Sequence, residues 1–353
     1  MLHWPAGPRP DDARPMTTSF RRPTMREVAQ TANVSISTVS RVMSDHPDVR
    51  EETRTAVQKI IDSMGYRPSV LARGLVLKRT NSLGLLVSDI TNPFYPQLAK
   101  GIEHAASARG WVVIIGNTDR ESSRTEWHVD AMLERAVDGI IFGSTTSHDR
   151  AVPRLLEAGY PLVLVNRRHP SAEASSVLAD NLLGAQIATH HLAALGHRRI
   201  GHIAGPDWAA NAVDRESGYV RALTEAGLPL DAELISRDEF SIAGGARAAR
   251  RLLATADRPT ALFATNDMMA LGALEAIRDL GLRCPDDVAV VGFDDIELAG
   301  SRLIELSTVS HRIYDMGTRA VDILLDQIIA GPPEVPVQEL LEPKLIIRRT
   351  CGA

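Results

Sequence analysis

From Asn81 onward the chain alternates strand-length apolar runs with helical patterns, and that alternation limits the possible folds more than any other feature. The runs fall at Leu83–Val87, Trp111–Ile115, Gly139–Phe142, Leu162–Val165, Ile200–Ala204, Ala261–Ala264 and Val288–Phe293. Between most of them lie helix-period stretches: Tyr95–Arg109, Ser123–Arg135, Arg150–Ala158, Leu182–Leu195, Arg215–Ala226, Ile242–Ala254 and Met268–Leu280. Strands separated by helices predict parallel α/β sheets, in which ligands sit beyond the carboxyl ends of the strands. Those ends are polar and aromatic here. The first runs into Ser88-Asp89-Ile90-Thr91-Asn92-Pro93-Phe94-Tyr95 and the fourth into Asn166-Arg167-Arg168. Others end in Gly205-Pro206-Asp207-Trp208, Asn266-Asp267 and Asp294-Asp295, with Asn211 and Arg215 placed at or just before a helix N-terminus. Carboxylates and amides bind hydroxyls, an Arg fork takes two acceptors and aromatics stack on a ring, so the set fits a polar small molecule. Taken singly, each Asn or Asp is an ordinary turn former or cap.

Ahead of this body stands Thr24–Met43, TMREVAQTANVSISTVSRVM. Thr24 and Glu27 have the spacing of a capping box. Met25, Val28, Ala29 and Ala32 form an apolar helical stripe, and Asn33 suits a tight turn. Ser35 caps a second helix, with Val39, Val42 and Met43 inward and Ile36, Ser37, Ser40 and Arg41 outward. Such a face suits a helix lying in the DNA major groove, although the same twenty residues would serve an ordinary helical hairpin. A third helix is expected at Glu51–Met64, ended by Gly65. Ser69–Leu77 has helix-forming residues but is too short to be stable alone, as expected either of a segment ordered on DNA or of a plain linker.

Charge separates the two parts. Residues 24–80 carry nine Lys/Arg against six acids, and residues 1–23 four against two, on a chain whose net charge is −5. A basic front on an acidic body means that the front meets phosphate; so small an excess calls for dimerisation or for base and shape contacts as well. The two cysteines, Cys284 and Cys351, have no metal or redox spacing, which fits a reduced cytoplasm. There is no eighteen-residue apolar run, and residues 1–22, rich in Pro and Arg, lack the apolar segment of a secretory signal and are expected to be disordered. HExxH, GxSxG, GxGxxG and P-loop motifs are all missing, and the eleven histidines form no ligand spacing. No catalytic residue, metal or cofactor is therefore expected, and the chain is read as a non-enzyme. A carboxylate pair at Asp294-Asp295 is better read as recognition plus a cap than as acid–base machinery.

With YRPSVLARGL following the hairpin at this distance, the chain resembles a LacI/GalR-type transcriptional regulator from Thr24 to its C-terminus. Supporting motifs are NPFY (Asn92–Tyr95), DN (Asp180-Asn181), LGHRRIGHIAGP (Leu195–Pro206), NDMMALGA (Asn266–Ala273), VAVVGFDD (Val288–Asp295) and IIRRT (Ile346–Thr350). The resemblance implies a small all-α helix-turn-helix headpiece (23–68), a hinge helix and linker (69–80) and an α/β periplasmic-binding-protein-like core (81–353). The core would hold two parallel-sheet subdomains, about 81–180 plus 312–340 and about 181–311 plus 341–353. Thr24, Ser35, Ile36, Ser37, Thr38, Ser40 and Arg41 are the implied DNA-contacting groups of the headpiece. In the hinge they are Ala72 and Leu75, the leucine wedged into the minor groove. The implied effector positions are Phe94, Tyr95, Asn166, Arg167, Asn211, Arg215, Phe240, Asn266, Asp267 and Asp294. The implied function is repression from a pseudo-palindromic operator by a cytoplasmic homodimer, with a tetramer as the larger alternative, released by a sugar or related polyol. A corepressor-dependent regulator or a solute-binding protein would share the fold. Departures bear on this: Ala209 and Ala210 stand where purine-responsive members carry Arg and Asn, Arg50 where a capping Ser is common, and Arg312 at a hinge position that is usually amide-like.

Overall fold

A computed structural model describes residues 23–43, 46–66, 79–143, 149–169 and 173–353. The chain forms two compact units, Met1–Lys78 and Arg79–Ala353. The expected disordered segment 1–22, and nearly all of the expected hinge helix with Ala72 and Leu75, lie outside the described residues.

The first unit contains α1 (Met25–Thr31), α2 (Ile36–Met43) and α3 (Glu51–Met64). Val28, Ala29, Val39, Val42, Val57, Ile61 and Tyr66 are its buried core. Each valine or isoleucine buried is worth roughly 1.5–3 kcal/mol, so the few available bind all three helices together. The caps follow the sequence. Thr24 and Glu27 make both halves of the capping box, Asn33 turns the chain at φ 50°, and Gly65 closes α3 in the left-handed region. Arg50 precedes α3 without a side-chain cap.

The second unit is two six-stranded sheets. The first lobe contains β1 (Ser82–Val87), α4 (Phe94–Ser107), β2 (Val112–Asn117), α5 (Ser122–Glu134), β3 (Gly139–Phe142), α6 (Ala151–Glu157), β4 (Leu162–Val165) and β5 (Ser176–Ala179). The chain then crosses into the second lobe: α7 (Asn181–Ala194), β6 (Ile200–Ala204), α8 (Ala210–Glu225), β7 (Ile235–Arg237), α9 (Ile242–Leu253), β8 (Ala261–Ala264), α10 (Asp267–Asp279), β9 (Ala289–Asp294) and β10 (Ser307–Ser310). It returns through α11 (Ile313–Ala330) and β11 (Gln338–Leu341) to the first sheet, and crosses a third time to end on β12 (Lys344–Ile346) in the second.

The sheet orders are β11-β5-β4-β3-β1-β2 and β12-β10-β9-β8-β6-β7, parallel throughout except for antiparallel β12 on β10. Both run outward from a first strand with its successor on one side and the third strand on the other. The direction of winding therefore reverses beside β1 and beside β6, where a crevice opens at the strand ends. Helices cover both faces of each sheet, which is why β1, β3, β4, β6 and β8 are buried along their whole length. Close helix contacts rest on glycine: a Cβ at Gly245 would lie 2.2 Å from the Met269 carbonyl oxygen, and one at Gly101 2.2 Å from that of Tyr314.

All seven expected strands exist within two residues, but five more were not anticipated: β5, β7, β10, β11 and β12. Each is only three or four residues long; β3, β4 and β8 are as short, but they are unbroken apolar runs, whereas Ser-Thr-Val-Ser or Gln-Glu-Leu-Leu carries no strand pattern of its own. Helix α8 begins at Ala210, not Arg215; its N-cap, Ala209, offers no side-chain hydrogen bond to mark the start. Arg215 is thus inside the second turn rather than at the helix terminus.

Candidate functional site

Two places gather the residues singled out above. In the headpiece, Ser35 Oγ accepts the Thr38 amide (3.0 Å) and lies 2.7 Å from Ser37 Oγ and 2.8 Å from Thr38 Oγ1. A hydroxyl cluster therefore caps α2 at the N-terminal end. Val39 and Val42 anchor the opposite side of the helix in the core, leaving Ile36, Ser37, Ser40 and Arg41 exposed. Thr24 is exposed and committed to its capping box, its amide donating to Glu27 Oε2 at 2.7 Å. Thr38 is half-buried.

The second place is a cleft between the two lobes, with about 370 Å³ free of protein atoms, its open mouth included. Of the ten expected effector residues it is lined by nine: Phe94, Tyr95, Asn166, Arg167, Asn211, Arg215, Phe240, Asn266 and Asp294. Asn92 and Arg120 complete the lining.

The floor belongs to the second lobe. Arg215 from α8 is buried; its Nε donates to Asn181 Oδ1 (2.8 Å) and its Nη1 to the Thr265 carbonyl (2.5 Å), with Asp294 Oδ1 3.5 Å away. The guanidinium carbon stands 3.7 Å from the Phe293 ring centroid, a cation–π contact. Burial pushes its pKa down to about 10, partly offset by the Asp294 charge, so it remains a cation at neutral pH. Its Nη2 has no hydrogen-bond partner among the described residues. Asp294 has φ 122° and Asp295 φ 59°. Such conformations cost of order 1–3 kcal/mol each in side-chain-bearing residues, and here the turn is tied down by Asp295 on Arg348 at 2.8 Å. His311 packs between Phe94 and Phe293, its Nε2 3.3 Å from Asp294 Oδ1, and burial lowers its pKa. Gly205 makes room for Phe240, whose ring would sit 2.4 Å from a Cβ there.

Asp267 is not part of the lining. It is fully buried behind the floor, where Oδ1 accepts the Thr308 hydroxyl (2.5 Å) and Oδ2 the Ile296 amide (2.9 Å). Burial, then the nearby Asp294 charge, holds its pKa well above the usual carboxylate range. Its neighbour Asn266 caps α10 through the Met269 amide (2.9 Å) while still facing the cleft.

The first lobe supplies the opposite wall. Tyr95 and Ser88 join hydroxyls at 2.5 Å, and Phe94 meets Tyr95 edge-on at 5.0 Å between centroids. Asn166, at φ 53°, is buried, and its Oδ1 has no partner among the described residues. Arg167 Nη1 donates to Asn211 Oδ1 at 3.0 Å, linking the lobes across the cleft. Arg120 is absent from the expected set because the apolar run ends at Ile115; β2 continues to Asn117, so that residues 118–120 form a strand end like the others. The described residues contain no cluster of three or more His, Cys, Asp or Glu that could hold a metal, and no helix long and apolar enough to cross a membrane.

Comparison with known proteins identifies the family. Residues 24–69 match the family model for bacterial regulatory proteins of the lacI family, and residues 189–351 that for a periplasmic binding protein-like domain. The HTH-type transcriptional regulator DegA of Bacillus subtilis (strain 168) is 34% identical, over 93% of this chain and 98% of its own. Among solved structures, the transcriptional regulator CelR–cellobiose complex superposes with a TM-score of 0.71 at 35% identity, covering 93% of this chain and all of that one. The lac repressor dimer bound to operator and the anti-inducer ONPF superposes at 0.85 with 27% identity, covering 94% and 100%.

Proposed function

This chain belongs to the LacI family of bacterial regulatory proteins, and from that premise we propose that it is a transcriptional repressor whose operator affinity is set by a small effector in the interlobe cleft. The observation that carries the reading is the pairing, in one chain, of a capped helix with an exposed Ile36-Ser37-Ser40-Arg41 face and a two-lobed cleft lined by amides, aromatics and arginines. The lac repressor, solved on its operator, and the regulator CelR, solved with cellobiose, bind such ligands. A sugar or polyol therefore belongs in the cleft, and double-stranded DNA against α2. Residues 23–68 would form the DNA-binding headpiece, 69–80 the hinge that places Leu75 in the minor groove, and 81–353 the effector and dimer core.

A homodimer matches a pseudo-palindromic operator half-site for half-site. The outer edge of the first sheet offers it a surface: β2 is an edge strand, and Val112, Ile114 and Ile115 are exposed on it. Unpaired apolar edges are rarely left open to water. An effector that prefers the DNA-incompetent arrangement of the lobes acts as inducer, and one with the opposite preference as corepressor; induction is the reading adopted. The site of action is the cytoplasm, where the operator lies. Binding without turnover distinguishes the protein from an enzyme, and recovery of the effector unchanged after incubation is the expected result.

The test is selection of duplexes from a random pool by the full chain. A two-fold symmetric site should emerge, and it should be lost on removing residues 1–80. Enrichment of no sequence, or enrichment that survives that truncation, would overturn the proposal.

A further inference from the structure

The charge lining the cleft is unbalanced. Three arginines face it, Arg120, Arg167 and Arg215, against the single carboxylate of Asp294. That carboxylate is already paired with Arg215 at 3.5 Å, with the buried His311 ring 3.3 Å away. Arg167 spends a donor on a neutral amide, Asn211. Arg120 makes no hydrogen bond or ion pair with any described residue. The carboxylate beside it in sequence, Asp119, is engaged by Arg124 and by Asn117 Nδ2 (2.6 Å). At the floor, the buried Nη2 of Arg215 is a further donor without an acceptor. Residues 144–148 and 170–172, the parts of this unit outside the described set, contain no Asp or Glu.

The turn that presents Arg120 is firmly built. Asp119 and Arg120 both take positive φ, 49° and 62°. The turn is fixed from both sides, with the Ile90 amide on Asn117 Oδ1 (2.9 Å) and His128 Nε2 on the Asn117 carbonyl (3.0 Å). Guanidinium groups that lose water without gaining a counter-charge are costly. A neutral polyol supplies oxygens but no charge, whereas a carboxylate or phosphate meets the planar fork with two charge-assisted bonds.

We propose that the effector is an anionic sugar derivative, with a carboxylate or phosphate gripped by Arg120 and Arg167 and a polyhydroxyl body held by Asn166, Asp294 and the faces of Phe94 and Phe240. Arg120 is then the residue that sets specificity for the charged over the neutral sugar. This rests on the cleft being the effector site. It is tested on the full chain by calorimetric titration with matched sets: D-glucose, D-glucuronate and D-glucose 6-phosphate, and D-ribose, D-ribonate and D-ribose 5-phosphate. In at least one set an anionic member should bind roughly tenfold or more tighter than its neutral parent, a difference of about 1.4 kcal/mol, and weaken as salt rises. The carboxylate and phosphate arms identify which anion is read. Arg120→Gln should abolish the preference, and Arg120→Lys should retain part of it. If the neutral sugars bind as tightly as the anions, or Arg120→Gln keeps the full preference, the anionic reading is overturned while the cleft stands as a sugar site. If no member of either set binds, both are overturned.

Discussion

The two lobes share a strand order but divide the cleft unequally. The second lobe contributes groups that are buried and already bonded to one another: Arg215 to Asn181 and Thr265, Asp267 to Thr308 and Ile296, His311 beside Asp294. From the first lobe come side chains whose polar atoms are largely unspent among the described residues: Arg120, the Asn166 Oδ1, and an Arg167 whose hydrogen-bond partner, Asn211, lies on the other lobe. One wall is a fixed polar floor, and the other is a set of donors and acceptors with hydrogen-bonding capacity to spare, which on the proposed reading a ligand takes up. A regulator benefits from that asymmetry. A ligand satisfying the first lobe's groups favours one arrangement of the lobes over another, and such differential contact is what shifts a two-state equilibrium.

The sharpest way to break the comparison is Arg215→Met. If the floor is a prebuilt network, removal of its cation strands Asn181 and Asp294 and should cost roughly 3–5 kcal/mol, as breaking buried ion pairs does, read as a fall in the urea midpoint. A loss below about 1 kcal/mol would show that the floor is no more rigid than the wall.

A somewhat smaller effect is expected from pH. His202, in β6, is fully buried and stacked between Tyr219 and Phe263, with Nδ1–H donating to the Phe263 carbonyl at 3.0 Å. Burial pushes its pKa down to about 4. The folded protein thus binds this proton less readily than the unfolded chain, whose histidine titrates near 6.5. The stabilisation from keeping the ring neutral is complete above pH 6.5 and is lost as pH falls towards 4. At about 1.4 kcal/mol per pH unit, this amounts to about 3 kcal/mol. His202→Phe should flatten the unfolding free energy across that window by about one proton, with a residual slope from His191, His197 and His311, whose pKa values burial also lowers. An unchanged slope would remove His202 as the cause.

The smallest stability change belongs to the first lobe. Arg167 is half-buried and its cross-cleft bond is to a neutral amide, so Arg167→Ala should cost about 1 kcal/mol or less. It should nonetheless weaken the response of the melting temperature to whichever sugar derivative binds. Loss of stability comparable to that of Arg215→Met would erase the contrast between wall and floor.

The sequence discloses what local spacing determines. The Thr24–Glu27 capping box, the turn at Asn33, the seven strands with apolar runs and the helices between them all follow from neighbours a few residues apart. The five short strands depend on pairing with distant partners, as when Gln338–Leu341 joins Ser176–Ala179, and leave no local trace. In the cleft, residue type marked the strand ends, but not which of two adjacent residues turns inward: Asn266 lines it, whereas Asp267 serves the second lobe behind the floor. Arg120 was hidden by a strand end placed two residues early. That Asp294 is already spent on Arg215, leaving the other arginines without a carboxylate, can be seen only once residues 79 positions apart in sequence meet.

The central claim is that the cleft governs the headpiece. It is tested most directly by the fluorescence anisotropy of a labelled duplex from the selection experiment, titrated with the full chain with and without saturating sugar derivative. Coupling of the usual size predicts roughly a 5–150-fold weakening of DNA affinity, reduced in Arg167→Ala. Identical affinity with the cleft empty and filled would contradict the account.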